Sequence, residues 1–204
     1  MTEQETALQQ LARDFATVIP AVDREAEHDR WDPGIGPFEE ERQLEMILDE
    51  LAEDGTRPEH IETEEQYPDS RKRCDLVITE DGFRMPVEAK LLRFRRDNGN
   101  IDPNMYKSVF SPFPERSSSS LLTDSRKLYE SDFGLPAGLL GLYYEKNGEE
   151  YEQLTADRIA EKFQQDVSFW YDIGIETVAI ERFEGLRHQH FGHGAVIGWL
   201  LPHN

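Results

Sequence analysis

The sequence predicts an α/β fold of three layers, α/β/α, with a central mixed β-sheet between helices. Three observations predict it. Residues 71–96 read as two strands joined by a tight turn, because Cys74–Thr79 is rich in β-formers and Asp81-Gly82 is a strong two-residue hairpin signal. Ala137–Tyr144 is almost continuously apolar, as expected of a strand covered on both faces. A helical pattern lies between the two, and strand, crossover helix and strand in that order predict a parallel pair. The sheet is therefore expected to include 73–80, 83–92 and 137–145.

The elements follow in order. Thr2-x-x-Glu5 is a capping-box pattern, and Leu8, Leu11, Phe15, Val18 and Ile19 keep helical spacing until Pro20, which predicts a helix over 2–19. Residues 23–37 are a polar loop. A second helix is predicted from Phe38 to Glu53, with Gly55 as its stop and Leu44, Ile47, Leu48 and Leu51 as its core stripe. Glu41 sits three residues before Leu44, close to that stripe, and Glu45 lies at its edge. Either is an acid aimed at the hairpin or the flank of a solvated face. Glu39, Glu40 and Glu50 read as surface and helix-dipole residues. Ile61–Tyr67 is a weak strand, followed by Pro68-Asp69. Pro86 cannot donate a ladder bond, so an edge or a bulge is expected there, and a bulge would shift the hairpin register. Residues 93–116 read as an irregular segment, too long to be a mere connector. Ser117–Ser120 can cap a helix over 119–131, on which Asp124 and Lys127 read as surface groups. Thr155–Tyr171 is another helix, and Glu176–Phe183 and Ala195–Leu201 are late strands.

The 204 residues suffice for one domain, 1–204, with a sizeable core at 37% hydrophobic content. A single cysteine, Cys74, excludes an internal disulfide and suits a reducing cytoplasm. No apolar run reaches the length of a membrane span, and the N-terminus lacks the pattern of a signal peptide. A cytoplasmic protein with no membrane partner is expected. The net charge of −20 argues against loose binding to nucleic acid, and it is also compatible with a salt-adapted host. Residues 71–96, however, hold eight Lys/Arg against four acids. His188-x-His190-x-x-His193 could bind zinc, but it lacks nearby cysteines and falls in a turn.

The hairpin carries the chemistry. If Asp81-Gly82 is the turn, Glu80 pairs with Phe83, and counting outward sets Asp75 opposite Glu88, with Cβ atoms about 4.5–5.5 Å apart. Lys90 shares that face, whereas Phe83, Met85, Val87, Ala89 and Leu91 form an apolar one. Two carboxylates so close need a proton or a cation between them. Mg²⁺ and Mn²⁺ are hard ions that one or two carboxylates hold together with water and phosphate. A neighbouring lysine can orient or deprotonate a water, or steady a phosphate. The plain alternative is a surface hairpin with an ordinary cross-strand Lys–Glu pair.

Helix with an acid, strand, strand with Asp75, strand with Glu88-Ala89-Lys90, helix, strand: this order resembles the PD-(D/E)XK, or restriction-endonuclease-like, nuclease superfamily over about residues 36–145. Gly36…Glu41-Arg42-x-Leu44 is similar to the opening helix of its Holliday-junction resolvases. The literal Pro-Asp pair here is Pro68-Asp69, but Asp75 opens an apolar strand and falls opposite Glu88. The resemblance implies an αβββαβ core and a metal-dependent DNA endonuclease, of restriction or defence type. It implies Mg²⁺ or Mn²⁺ held by Asp75, Glu88 and the Ala89 carbonyl, with Lys90 positioning the attacking water and Glu41 assisting. Arg71, Lys72, Arg73, Arg93, Arg95 and Arg96 would hold the DNA backbone. A homodimer or a protein partner is left open. The competing expectation is a non-catalytic binding or assembly subunit on the same fold.

Overall fold

The computed structural model describes residues 1–29, 32–53, 55, 60–68, 71–80, 82–96, 100–113, 119–134, 136–146 and 154–202. Asp69, Asp81, Ser117 and Ser118 lie outside the described residues. The elements are α1 (Glu3–Glu25), α2 (Glu40–Glu53), β1 (Ile61–Gln66), β2 (Arg73–Glu80), β3 (Phe83–Leu92), α3 (Pro103–Phe110), α4 (Leu121–Glu130), β4 (Ala137–Glu145), α5 (Ala156–Tyr171), β5 (Glu176–Glu184) and β6 (His193–Leu201).

The six strands form one mixed sheet in the order β1-β2-β3-β4-β6-β5. β1, β2 and β3 are antiparallel neighbours, β4 runs parallel to β3, and β6 is antiparallel to both β4 and β5. Strand alternation sorts the core into two faces. Met85, Val87, Ala89 and Leu91 pack with α1 and α2, while Leu92, Leu139 and Trp199 pack with α4 and α5. The architecture is thus α/β, with helices on both sides of the sheet. Among the described residues no helix is long and apolar enough to cross a membrane.

The hairpin register is in phase from Glu80↔Phe83 to Leu76↔Val87, and Gly82 takes the positive φ of +105° that its turn requires. The bulge expected at Pro86 is not there, since Pro86 pairs in register with Val77. The reason lies in the direction of its nitrogen. The N–H groups of Ala89 and Leu91 point to the β2 edge of β3, so that of residue 86 would point to the β4 edge. β4 pairs with β3 only from Val87 onward, so Pro86 removes no ladder bond.

Two further expectations are corrected. α1 does not stop at Pro20 but runs on to Glu25. Its last turns bury Val22 and Asp23, and Asp23 accepts the N–H groups of Ile35 and Arg187 at 2.9 and 2.5 Å. These anchors outweigh the one helical bond that a proline forfeits. The segment 93–116 is not wholly irregular. It contains α3, with Asp102 accepting from Asn104 N as N-cap and Pro103 at the first helical position.

Candidate active site

The site forms where β2 and β3 part. Their ladder ends at Leu76↔Val87, and β3 continues to Leu92 without β2, paired on its other edge with β4. The N–H groups of Ala89 and Leu91, turned toward the departed strand, would be orphaned there. Two acids take them. Asp75 Oδ2 accepts from Ala89 N at 2.7 Å, and Glu40 Oε2 accepts from Leu91 N at 2.5 Å. An extended residue presents its N–H and C=O to the same edge, so the Ala89 carbonyl belongs to the same gap.

The Asp75 carboxyl is also hydrogen-bonded to that of Glu88, as expected of residues that continue the register. Burial, and then the charge of Glu88, push the Asp75 pKa up to about 8. Glu88 is 5% exposed, and its Oε1 accepts from the Tyr67 hydroxyl at 2.5 Å and lies 2.5 Å from Lys127 Nζ. The face bearing Glu88 is thus a second interior under α4, not an open one. Lys90 Nζ donates to Glu40 Oε1 at 3.0 Å. Burial pulls its pKa down, but the carboxylates of Glu40, Asp124 and Asp75 outweigh it and hold the ammonium above its usual range. Asp124, 2% exposed, lies 3.4 Å from Lys127; burial and Glu88 raise its pKa against the opposing pull of Lys127 and Lys90.

The structure therefore brings Asp75, Glu88 and Lys90 together. The helix acid in contact with them is Glu40, half-buried at the start of α2, and not the surface residue expected. Glu41 and Glu45 line the adjoining cavity of about 460 Å³, along with Glu40, Glu64 and Asp75. Asp124 and Lys127, which the sequence predicts as surface groups, and Tyr67, which it predicts at the end of a strand, also belong to this site. A signal for Asp124 was present: with Leu121, Ser125 and Leu128 it completes an i, i+3, i+4, i+7 stripe, which is the buried face of α4.

The basic residues separate. Arg71, Lys72, Arg73 and Arg96 are exposed. Arg93 donates to the Gly36 carbonyl at 3.0 Å and lies over the Phe191 ring. Arg95 is 9% exposed, so its place is in the fold, not on an open DNA-contact surface. His188 is buried, its Nδ1 accepting from His190 N, and His193 lies 3.6 Å from Glu145.

Among the described residues no group of three or more His, Cys, Asp or Glu side chains is arranged to hold a metal ion. A Mg²⁺ site needs fewer, since one or two carboxylates suffice when water and substrate phosphate complete the shell. The charge in the gap fits such an ion. Burial and the charge of Glu88 favour a proton on both Asp75 and Asp124, which marks a shortage of positive charge that a divalent cation would meet in place of those protons. Comparison with protein-family models gives no match, and comparisons with curated proteins and with solved structures give none either.

Proposed function

We propose that the protein is a metal-dependent DNA endonuclease with a restriction-endonuclease-like core. The observation that carries this reading is the meeting of the Asp75 and Glu88 carboxyl groups at the gap between β2 and β3, with Lys90 two residues farther along the same strand. The order α2-β1-β2-β3-α3-α4-β4, with β2 antiparallel and β4 parallel to β3, supports it, α3 being an addition between β3 and the crossover helix α4.

Asp75, Glu88 and the Ala89 carbonyl would hold Mg²⁺ or Mn²⁺. The ion, when bound, lowers the pKa of a water and offsets charge on the phosphoryl oxygens. Lys90 supplies fixed positive charge where charge develops on the phosphorus centre. Glu40 keeps that ammonium in place, and because Glu40 is itself held by Leu91 N, Lys90 is oriented before substrate arrives.

The test is cleavage of supercoiled and linear DNA by purified protein with Mg²⁺ or Mn²⁺. Lys90→Ala should abolish turnover and largely spare metal binding, whereas Asp75→Ala and Glu88→Ala should weaken both. Undiminished cleavage by all three variants would sink the reading. DNA binding without cleavage in any metal would favour a non-catalytic subunit.

A further inference from the structure

The candidate site holds two lysines with different attachments. Lys90 is tied to Glu40, a carboxylate outside the proposed ligand set that is anchored by a backbone N–H. Lys127 comes from α4 and sits on Glu88, one of the proposed ligands. Resting on the nuclease reading, we propose that Lys127 is a built-in stand-in for the divalent ion: its ammonium neutralises Glu88 in the metal-free protein, and the ion replaces it there.

Three features of the geometry carry this. First, Glu88 is nearly fully buried, and a carboxylate so placed needs a compensating charge at all times. Lys127, 2.5 Å away, is that charge when no ion is bound. Second, Lys127 has somewhere to go. Asp124 Oδ1 lies 3.4 Å from its Nζ, and this buried oxygen has no hydrogen bond of good geometry among the described residues. The lysine side chain is also 24% exposed, on a stem with rotatable bonds throughout. Third, Glu88 keeps its orientation during such an exchange. The neutral Tyr67 hydroxyl donates to the same Oε1 that Lys127 approaches. An arriving cation repels Lys127 and has no such effect on Tyr67. Lys127 then shifts toward Asp124, and its charge stays in the site.

A purely structural lysine and a stand-in differ in sign. Loss of a supporting partner weakens metal binding, whereas loss of a competing charge strengthens it. The experiment is calorimetric Mn²⁺ titration of metal-stripped protein, paired with thermal unfolding with and without Mn²⁺. Lys127→Met and Lys127→Gln should bind Mn²⁺ roughly tenfold tighter than wild type, because one unit charge close to the ion has been removed. Their metal-free melting temperatures should fall, and Mn²⁺ should raise them by more than it raises the wild type. Lys127→Arg, which keeps the charge, should behave as wild type. Tyr67→Phe should instead weaken binding about tenfold, as loss of an outer partner of a metal ligand does. Equal or weaker binding by both neutral Lys127 variants, with binding still lost in Glu88→Gln, would overturn the stand-in alone and leave the nuclease reading intact. No Mn²⁺ binding by the wild type would overturn that reading, and the stand-in with it. Lys127→Gln can still donate a hydrogen bond to Glu88, so the comparison survives if Lys127→Met does not fold.

Discussion

Lys90 Nζ donates to Glu40 Oε1, and the other oxygen of that carboxylate takes the N–H of Leu91, the residue after the lysine. One acid thus satisfies a backbone group that β2 has abandoned and holds the ammonium beside it. Glu40→Ala should cost about 1–3 kcal/mol in urea unfolding, the range for leaving a buried donor unmet. Glu40→Gln keeps an acceptor for Leu91 and should cost less, yet it should lower DNA cleavage at least tenfold by loosening Lys90. Glu41→Gln, exposed at the cavity wall, should stay within about 0.5 kcal/mol and change cleavage little. Equal effects at positions 40 and 41 would mean that the Lys90 bond is incidental.

Much of this arrangement was legible in the sequence. The turn, the register from Glu80↔Phe83 and the covered strand at Ala137–Tyr144 follow from local rules, because hairpin loops and side-chain alternation are local properties. The choice of helix acid was less so. Glu40 lies four residues before Leu44 and Glu41 three, so the stripe admits both. What selects Glu40 is the unmet N–H of Leu91, created where β2 parts from β3, a non-local event. Tyr67 and Lys127 were hidden for the same reason. Nothing adjacent to them in sequence announces that both meet at Glu88, 21 and 39 residues away. The stop assigned to Pro20 failed because the anchors of Asp23, at Ile35 and Arg187, lie outside the helix.

Asp75 sets a pH dependence. Its carboxyl titrates near 8 in the fold and near 3.8 unperturbed. Between those values the folded state binds more protons than the unfolded, so its contribution to stability is lost as pH rises from about 4 to about 8. Asp75→Asn removes that loss and retains an acceptor for Ala89 N. The metal-free variant should match the wild type near pH 4 and melt above it by on the order of 10 °C at pH 8, since a shift of about four units is worth several kcal/mol and each kcal/mol moves the midpoint by about 2–4 °C in a chain of this size. Parallel stability–pH curves for the two proteins would show that Asp75 is not the group responsible. Saturating Mg²⁺ should raise the wild type at pH 8 and leave Asp75→Asn almost unmoved.

Cys74 offers an independent check on the closed face beneath the hairpin. It is 0% exposed, and burial first, then the charge of Glu88, push its thiol up to about 12. Thiol reagents at pH 8 should label it only through unfolding, at a rate that rises with denaturant. Stoichiometric labelling within seconds in native buffer would contradict that packing.

The last prediction concerns how a chain of net charge −20 meets DNA. Affinity for duplex DNA falls with salt, with a log–log slope of about −0.9 for each phosphate neutralised. Among the basic residues of the hairpin region, Arg71, Lys72, Arg73 and Arg96 are exposed, and two of these already face acids. Arg73 donates to the Glu64 carbonyl at 2.9 Å, with its Nε 4.0 Å from the Glu64 carboxylate, and Arg96 lies 3.4 Å from Asp102. The exposed set is therefore small, and the slope should be shallow. Arg71→Gln and Lys72→Gln should each flatten it by about 0.9 for a true contact and weaken binding in proportion. Arg95→Gln should leave the slope unchanged and lower stability instead, because that side chain is buried. Arg13→Gln and Arg158→Gln, in exposed pairs with Glu181 and Glu161, should leave both slope and affinity as they were. The acidic remainder acts weakly at physiological salt, where screening sets in within roughly 8 Å. Equal losses from both sets of variants would mean that overall charge, not this patch, governs binding. No binding by the wild type at low salt, even with metal, would favour the non-catalytic assembly subunit or a basic partner that delivers the DNA.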